Sequence, residues 1–208
     1  MRLCLRVLPP CEVDMELSGI RVILASRSPR RRELLCSITP IFDIEACDVD
    51  ESLPASVHPR EGVELLAVRK GAPIAEKNSD ALVISSDTLV ELDGVPLGKP
   101  TDKEDAVRML SGLSGRAHNV HTGVAVHYKG RCYSGVDSTA VSFRDMSEAE
   151  IREYVDGGEP MDKAGAYGIQ GEGGKFVLRY DGEFDTVMGL SVALTRELIG
   201  RALEGFND

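Results

Sequence analysis

The sequence predicts an α/β fold, and three stretches carry that prediction. Val22-Ile23-Leu24-Ala25 is an apolar run of strand length, and Pro29 followed by Glu33, Leu34 and Leu35 opens a helix directly after it. Ala81-Leu82-Val83-Ile84 is a second run of the same kind, reached after a helical pattern from Arg60 to Ala75. Ala117 to Tyr128 and Arg131 to Phe143 are longer strand-like runs joined by Lys129-Gly130, the pattern of a hairpin.

Between the first strand and the first helix lies Ser26-Arg27-Ser28-Pro29-Arg30-Arg31-Arg32. A helix start there offers free backbone N–H groups and the positive end of the dipole, a ready anion site. Ser26 and Ser28 add hydroxyl donors, and Arg30 and Arg31 add forked, permanently charged ones. The chain carries a net charge of −10, so four arginines in seven positions reverse the sign locally. An isolated arginine triplet reads as a solvated helix start; the strand before it and the two serines point instead to a phosphate site.

Phe42 to Glu45 alternates like a strand, and Asp48, Asp50 and Glu51 follow in a turn-like stretch. Three carboxylates there suit either a hard cation such as Mg²⁺ or a solvated acidic loop. In the helix from Arg60 to Ala75, Val63, Leu66, Ala67 and Ala75 share a face, and Pro73 is expected to end or kink it. Lys70, late on this helix, is a phosphate contact or an exposed lysine. The strand beginning at Ala81 is expected to terminate in Ser85-Ser86-Asp87-Thr88. Ligands sit at the carboxyl ends of strands in α/β sheets, so Asp87 is placed to bind metal or take a proton from water. A turn-starting aspartate is the equal alternative.

Leu92-Asp93-Gly94-Val95 has the signature of a tight hairpin. Gly94 to Pro100 fails as a Walker A loop, since three residues separate its glycines and Pro100 replaces the hydroxyl residue. Lys99 remains a candidate phosphate contact. Asp102 to Ser111 reads as a helix stopped by Gly112. His118, His121 and His127 lack metal-ligand spacing and are expected as strand-surface or hydrogen-bonding residues, His118 facing opposite to the other two. Ser147 and Glu150 form a capping box at the next helix, which Gly157-Gly158 ends. Glycines 165, 168, 171, 173 and 174 mark a tightly turning loop whose backbone approaches a ligand. The loop does not match the dinucleotide G-x-G-x-x-G pattern, and it carries Lys163 and Gln170. Ser191 to Phe206 is an amphipathic packing helix on Leu194, Leu198 and Ala202.

A chain of 208 residues forms one large domain or two small lobes. Its 42% hydrophobic and 28% charged content is that of a soluble globular protein. No run approaches the ~20 apolar residues of a membrane span. The acidity argues against a nucleic-acid partner and permits a small polyanion, given a metal and a local basic cluster. Cys4, Cys11, Cys36, Cys47 and Cys132 are scattered with no C-x-x-C, which fits reduced thiols in an intracellular, cytoplasmic protein. Residues 1–20 make a poor targeting signal and are expected to be an N-terminal extension to a single domain over 21–208.

Five stretches in order, Ser26-x-Ser28-Pro29-Arg30-Arg31, Ser86-Asp87-Thr88, Gly98-Lys99-Pro100, His121-Thr122-Gly123-Val124 and Asp162 to Gly171, resemble the Maf-like nucleotide pyrophosphatase family. The resemblance runs from Arg21 to the C-terminal helix. It implies a long, mixed, twisted sheet flanked by helices, as in inosine triphosphatases, with a nucleotide cleft between two lobes. It implies hydrolysis of a nucleoside triphosphate to monophosphate and pyrophosphate with Mg²⁺ or Mn²⁺, and it is compatible with a homodimer. The proton acceptor falls on Asp87, and the specificity positions of the dTTP/UTP branch fall on Arg30, Thr88 and Gln170. Contacts to phosphate or metal fall on Ser28, Arg31, Glu51, Lys70, Lys99 and Lys163, with Glu51 and Asp87 as the metal carboxylates.

The residues suit that chemistry. Attack at the α-phosphorus needs a positioned water, neutralised equatorial oxygens and a stabilised leaving group. No serine–histidine–aspartate set stands out, so no covalent intermediate is expected. The Gln170 amide can accept from N3–H of uracil or thymine and donate to a neighbouring carbonyl. A flipped amide would also match cytosine, whose exclusion would then fall to Arg30 or backbone donors. Two alternatives stay open: a 7-methyl-GTP pyrophosphatase using Glu172, and a nucleotide-binding regulator without turnover.

Overall fold

A computed structural model describes residues 17–54 and 56–205. Most of the expected N-terminal extension, with Cys4 and Cys11, and the Phe206 end of the last helix lie outside the described residues. Seven strands form one mixed sheet in the order β2-β1-β3-β5-β6-β7, with β4 also pairing β3. They are β1 Val22–Leu24, β2 Asp43–Ile44, β3 Leu82–Leu92, β4 Val95–Leu97, β5 Ala117–Tyr128, β6 Arg131–Phe143 and β7 Val177–Asp181. Strand β1 runs parallel to β2 and β3; the other pairings are antiparallel. The helices are α1 Pro29–Cys36, α2 Pro59–Lys77, α3 Lys103–Leu113, α4 Glu148–Asp156, α5 Phe184–Met188 and α6 Val192–Glu204.

Local chemistry explains most boundaries. Pro29 opens α1, and the Ser28 hydroxyl caps it by accepting from Arg31 N–H. Ser147 and Glu150 form the expected capping box on α4. Asp93-Gly94 and Lys129-Gly130 both take positive φ, which matches a two-residue hairpin turn to the twist of its strands.

Side-chain alternation along β3 divides the interior. Odd-numbered Val83 and Ser85 face α2, where Ile74 joins a small core with Ile23, Ala25 and Ala81. Even-numbered residues face the other way. Leu82 and Ile84 enter a core with α1 and α6, and Val90 enters a second core with α3, α4, Phe143 and Phe176. Between these two cores the same face carries Ser86 and Thr88, opposite Val124 and Thr122 of β5.

Several sequence expectations are corrected here. Asp87 does not end its strand: β3 continues to Leu92 because β5 pairs with it without interruption from Val83 to Glu91. Pro73 does not end α2, which runs to Lys77 because Ile74 is anchored in the core while Pro73 is half-exposed. Gly112 lies inside α3, whose last residue Leu113 is fully buried. All three histidines are buried rather than on the surface; His118 and His121 are hydrogen-bonded by other side chains, and His118 faces opposite to His121 as expected. The strand after α1 is two exposed residues.

Candidate active site

Strand β1 pairs with β3 as far as Ile84, and β4 pairs with it again from Val90. Between those points no described strand covers the outer edge of β3. A cleft of about 920 Å³ opens at this gap. Its walls are the start of α1, the side of α2 carrying Lys70, the Gly98-Lys99 turn after β4, the glycine-rich segment from Glu159 to Gly171, and Gly189 after α5. Asp87 and Thr88 reach it from opposite faces of the strand. Ten of the eleven residues singled out from the sequence border this space: Ser28, Arg30, Arg31, Glu51, Lys70, Asp87, Thr88, Lys99, Lys163 and Gln170. Ser26 does not. It is buried behind the cleft, where its hydroxyl accepts from Ser28 N–H at 3.2 Å and Arg31 Nη1 at 3.4 Å.

The electrostatics run against the charge of the whole chain. Arg27, Arg30, Arg31, Lys70, Lys99 and Lys163 face Glu51, Asp87, Glu159 and Asp162 across the cleft. Asp87 is 8% exposed and accepts from Lys70 Nζ at 2.5 Å; the same ammonium lies 2.9 Å from Glu51 Oε1. Asp48 and Asp50 do not join them: Asp48 pairs with Arg27, and Asp50 accepts from the N–H and hydroxyl of Ser52. The acidic stretch therefore contributes one carboxylate to the cleft. Among the described residues there is no group of three or more histidine, cysteine, aspartate or glutamate side chains arranged for a metal.

Arg31 is held on three sides. Its Nε donates to Gly189 O at 2.9 Å, and its Nη atoms donate to Ser26 Oγ and to Thr88 Oγ1. Lys163 donates to the neighbouring Asp162 carboxylate.

A sequence model for Maf-like proteins matches residues 21–202, nearly all of the described chain. The chain belongs to the Maf family. It is 46% identical over 187 residues to a Bacillus velezensis protein named dTTP/UTP pyrophosphatase, covering 90% of this chain and 97% of that one. It is 46% identical over 181 residues to a Moorella thermoacetica protein of the same name, covering 86% and 93%. The fold is similar to the Staphylococcus aureus Ham1 protein, at 15% identity and a TM-score of 0.50 over 89% of this chain and 98% of that one.

The glycine-rich segment of this Maf protein is held by residues that sequence inspection passed over. The Glu159 carboxylate accepts from Tyr154 Oη at 2.9 Å, Glu172 N–H at 2.9 Å and Gly173 N–H at 3.3 Å. Burial works to raise its pKa, but these donors hold it below the ordinary carboxylate value. Tyr167 packs edge-on against Phe143 and bonds His118 Nε2 at 2.8 Å. Burial pushes the His118 pKa down to about 4, so the ring is neutral. Gly165 needs its lack of a side chain: φ is +67°, and a Cβ would meet Val90 at 2.8 Å. The glycine spacing signalled the loop, but nothing local to Glu159 or His118 signalled their partners.

The structure also contains a string absent from the sequence expectations. Ser138 Oγ lies 2.7 Å from His121 Nδ1, and His121 Nε2 lies 2.9 Å from Glu91 Oε2. None of the three borders the cleft.

Proposed function

We propose that this Maf protein hydrolyses nucleoside triphosphates, dTTP and UTP foremost, to the monophosphate and pyrophosphate. The observation that carries this is a buried, lysine-held carboxylate, Asp87, set among six cations at an open strand edge. The relatives named dTTP/UTP pyrophosphatase supply the substrate class.

In this mechanism the Asp87 carboxylate takes a proton from water as the water oxygen attacks the α-phosphorus. The bond from that phosphorus to the bridging oxygen breaks, and pyrophosphate leaves with the electron pair. Lys70 keeps Asp87 oriented and lends charge to the phosphates. Arg31, Lys99 and Lys163 bind the phosphate oxygens, and Ser28 with the start of α1 adds hydroxyl and N–H donors. Arg30, Thr88 and Gln170 face the base.

A magnesium or manganese ion fits the donor set, because Glu51 and Asp87 already converge on one cation, the Lys70 ammonium. One or two carboxylates are the protein's usual share of such an ion, with phosphates and water completing it. Bound there, the ion would neutralise charge building on the phosphate oxygens.

Gln170 borders the cleft and Glu172 does not, which favours a uracil or thymine base over a cationic 7-methylguanine. The free thiols Cys47 and Cys132 support a reducing, cytoplasmic setting. Among the described residues, no helix is long and apolar enough to cross a membrane.

Turnover of a nucleoside triphosphate panel in ¹⁸O-water tests the proposal. The expected result is pyrophosphate with label in the monophosphate, fastest for dTTP and UTP. A diphosphate as first product, or 7-methyl-GTP as the best substrate, would refute it.

A further inference from the structure

Behind the cleft, a chain of hydroxyls has its hydrogen-bond direction fixed by what it ends on. Thr122 is fully buried on β5, and its Oγ1 lies 2.6 Å from the backbone carbonyl of Thr186. A carbonyl can only accept, so the single hydroxyl hydrogen of Thr122 is committed to it. Thr122 Oγ1 also lies 3.0 Å from Thr88 Oγ1. With its own hydrogen spent, Thr122 can only accept there, and Thr88 must donate. Arg31 Nη2 donates to Thr88 as well, at 3.4 Å. The cleft-facing Thr88 is left with one free lone pair and no hydrogen to offer.

We infer that Thr122 is a specificity-positioning residue, which turns Thr88 into an obligate acceptor aimed at N3 of a pyrimidine. This rests on the proposed function, in which Thr88 faces the base. Uracil and thymine present a hydrogen at N3 and satisfy that lone pair. Cytosine presents a lone pair at N3, so two acceptors face each other with no hydrogen between them. Gln170 cannot make this distinction, because its amide can turn over to match either base. Thr88 cannot turn over while Thr122 holds its hydrogen. The pocket thus combines one adaptable group with one of fixed polarity, and the fixed one refuses CTP. Leaving polar groups unpaired in a closed site is what makes such refusal strong.

The test measures kcat/KM for UTP and CTP with the full-length protein and three variants. Wild-type protein is expected to prefer UTP. Thr122→Val keeps the side-chain shape but cannot accept, so the Thr88 hydrogen is released to swing toward cytosine N3. The UTP-to-CTP ratio should fall about 10-fold or more, chiefly by a gain with CTP. Thr122→Ser restores the hydroxyl and should restore the ratio. If loss of the Thr186 contact prevents Thr122→Val from folding, Thr122→Cys takes its place, with a weak donor and a poor acceptor in similar volume. Equal loss of UTP and CTP turnover in the folded variant would mean that Thr122 only supports the sheet, and would overturn the inference. A wild-type enzyme with no preference for UTP over CTP would overturn the proposed base selectivity itself, independently of any variant.

Discussion

Replacing Asp87 by asparagine separates chemistry from architecture in this cleft. The carboxylate is 8% exposed and accepts from Lys70 at 2.5 Å, so deletion of the side chain would leave a half-buried ammonium with less company. Asparagine avoids that. Its amide oxygen can still accept from Lys70, and Glu51 remains 2.9 Å from the same nitrogen. The fold should therefore lose no more than about 1–2 kcal/mol, well short of the ~3–5 kcal/mol for stripping a partner from a buried charge. The amide cannot take a proton from water, and loss of general-base action lowers turnover by about 100- to 10,000-fold. Pyrophosphate release under saturating and limiting substrate should show that loss in kcat, with KM changed little. Urea unfolding in parallel should show a small shift in midpoint. A variant that keeps near-normal kcat would exclude Asp87 as the base. A variant that loses activity only because it unfolds would remove the support for a chemical role.

Other expectations follow from single contacts. Gln170→Glu should lower dTTP and UTP turnover by about 10- to 100-fold, because a carboxylate cannot donate to a base carbonyl; an unchanged substrate ranking would refute the assignment. Gly123→Ala should destabilise by about 1–3 kcal/mol or more and also reduce activity, since a Cβ would meet Val63 O at 2.3 Å and α2 must shift, moving Lys70. Denaturant melts and rate measurements on one preparation check both. His118 gains a pH signature: its pKa is about 4 in the folded chain against 6.5 as a reference. Below pH 6.5 the unfolded chain binds a proton that the folded chain refuses, so stability is full above 6.5 and falls by about 3 kcal/mol on acidification to about 4. Unfolding midpoints for His118→Asn should fall less steeply across that window.

The legible parts of this molecule are those whose cause is local. Lys129-Gly130 announces a two-residue turn, Ser147 with Glu150 announces a helix start, and Pro29 after an apolar run announces another. The cleft residues were legible because five motifs in order resemble a family, not because any one spacing compels them. What stayed hidden depends on partners far along the chain. From its own polar neighbours Asp87 reads as a strand end, whereas β5, more than thirty residues on, keeps the strand extended. Glu159 and His118 look ordinary in sequence, since their partners Tyr154, Gly173 and Tyr167 are brought to them by folding. The direction of the Thr88 hydrogen bond was the least legible of all, because it is decided by a carbonyl two contacts away.

The continuous pairing of β3 with β5 has a mechanical consequence. The two cores flanking the cleft hang on one ladder that runs unbroken for nine residue pairs between them. A hinge needs a few backbone positions free to absorb large changes in φ and ψ, and here every such position along the shared strands is tied across the ladder. Jaw-like rotation of one half against the other would bend or twist a sheet rather than flex a linker. Gripping and releasing a nucleotide therefore fall to what is not woven into the ladder: the arginine-bearing helix start, the lysine after β4, and the glycine-rich segment pinned by Glu159.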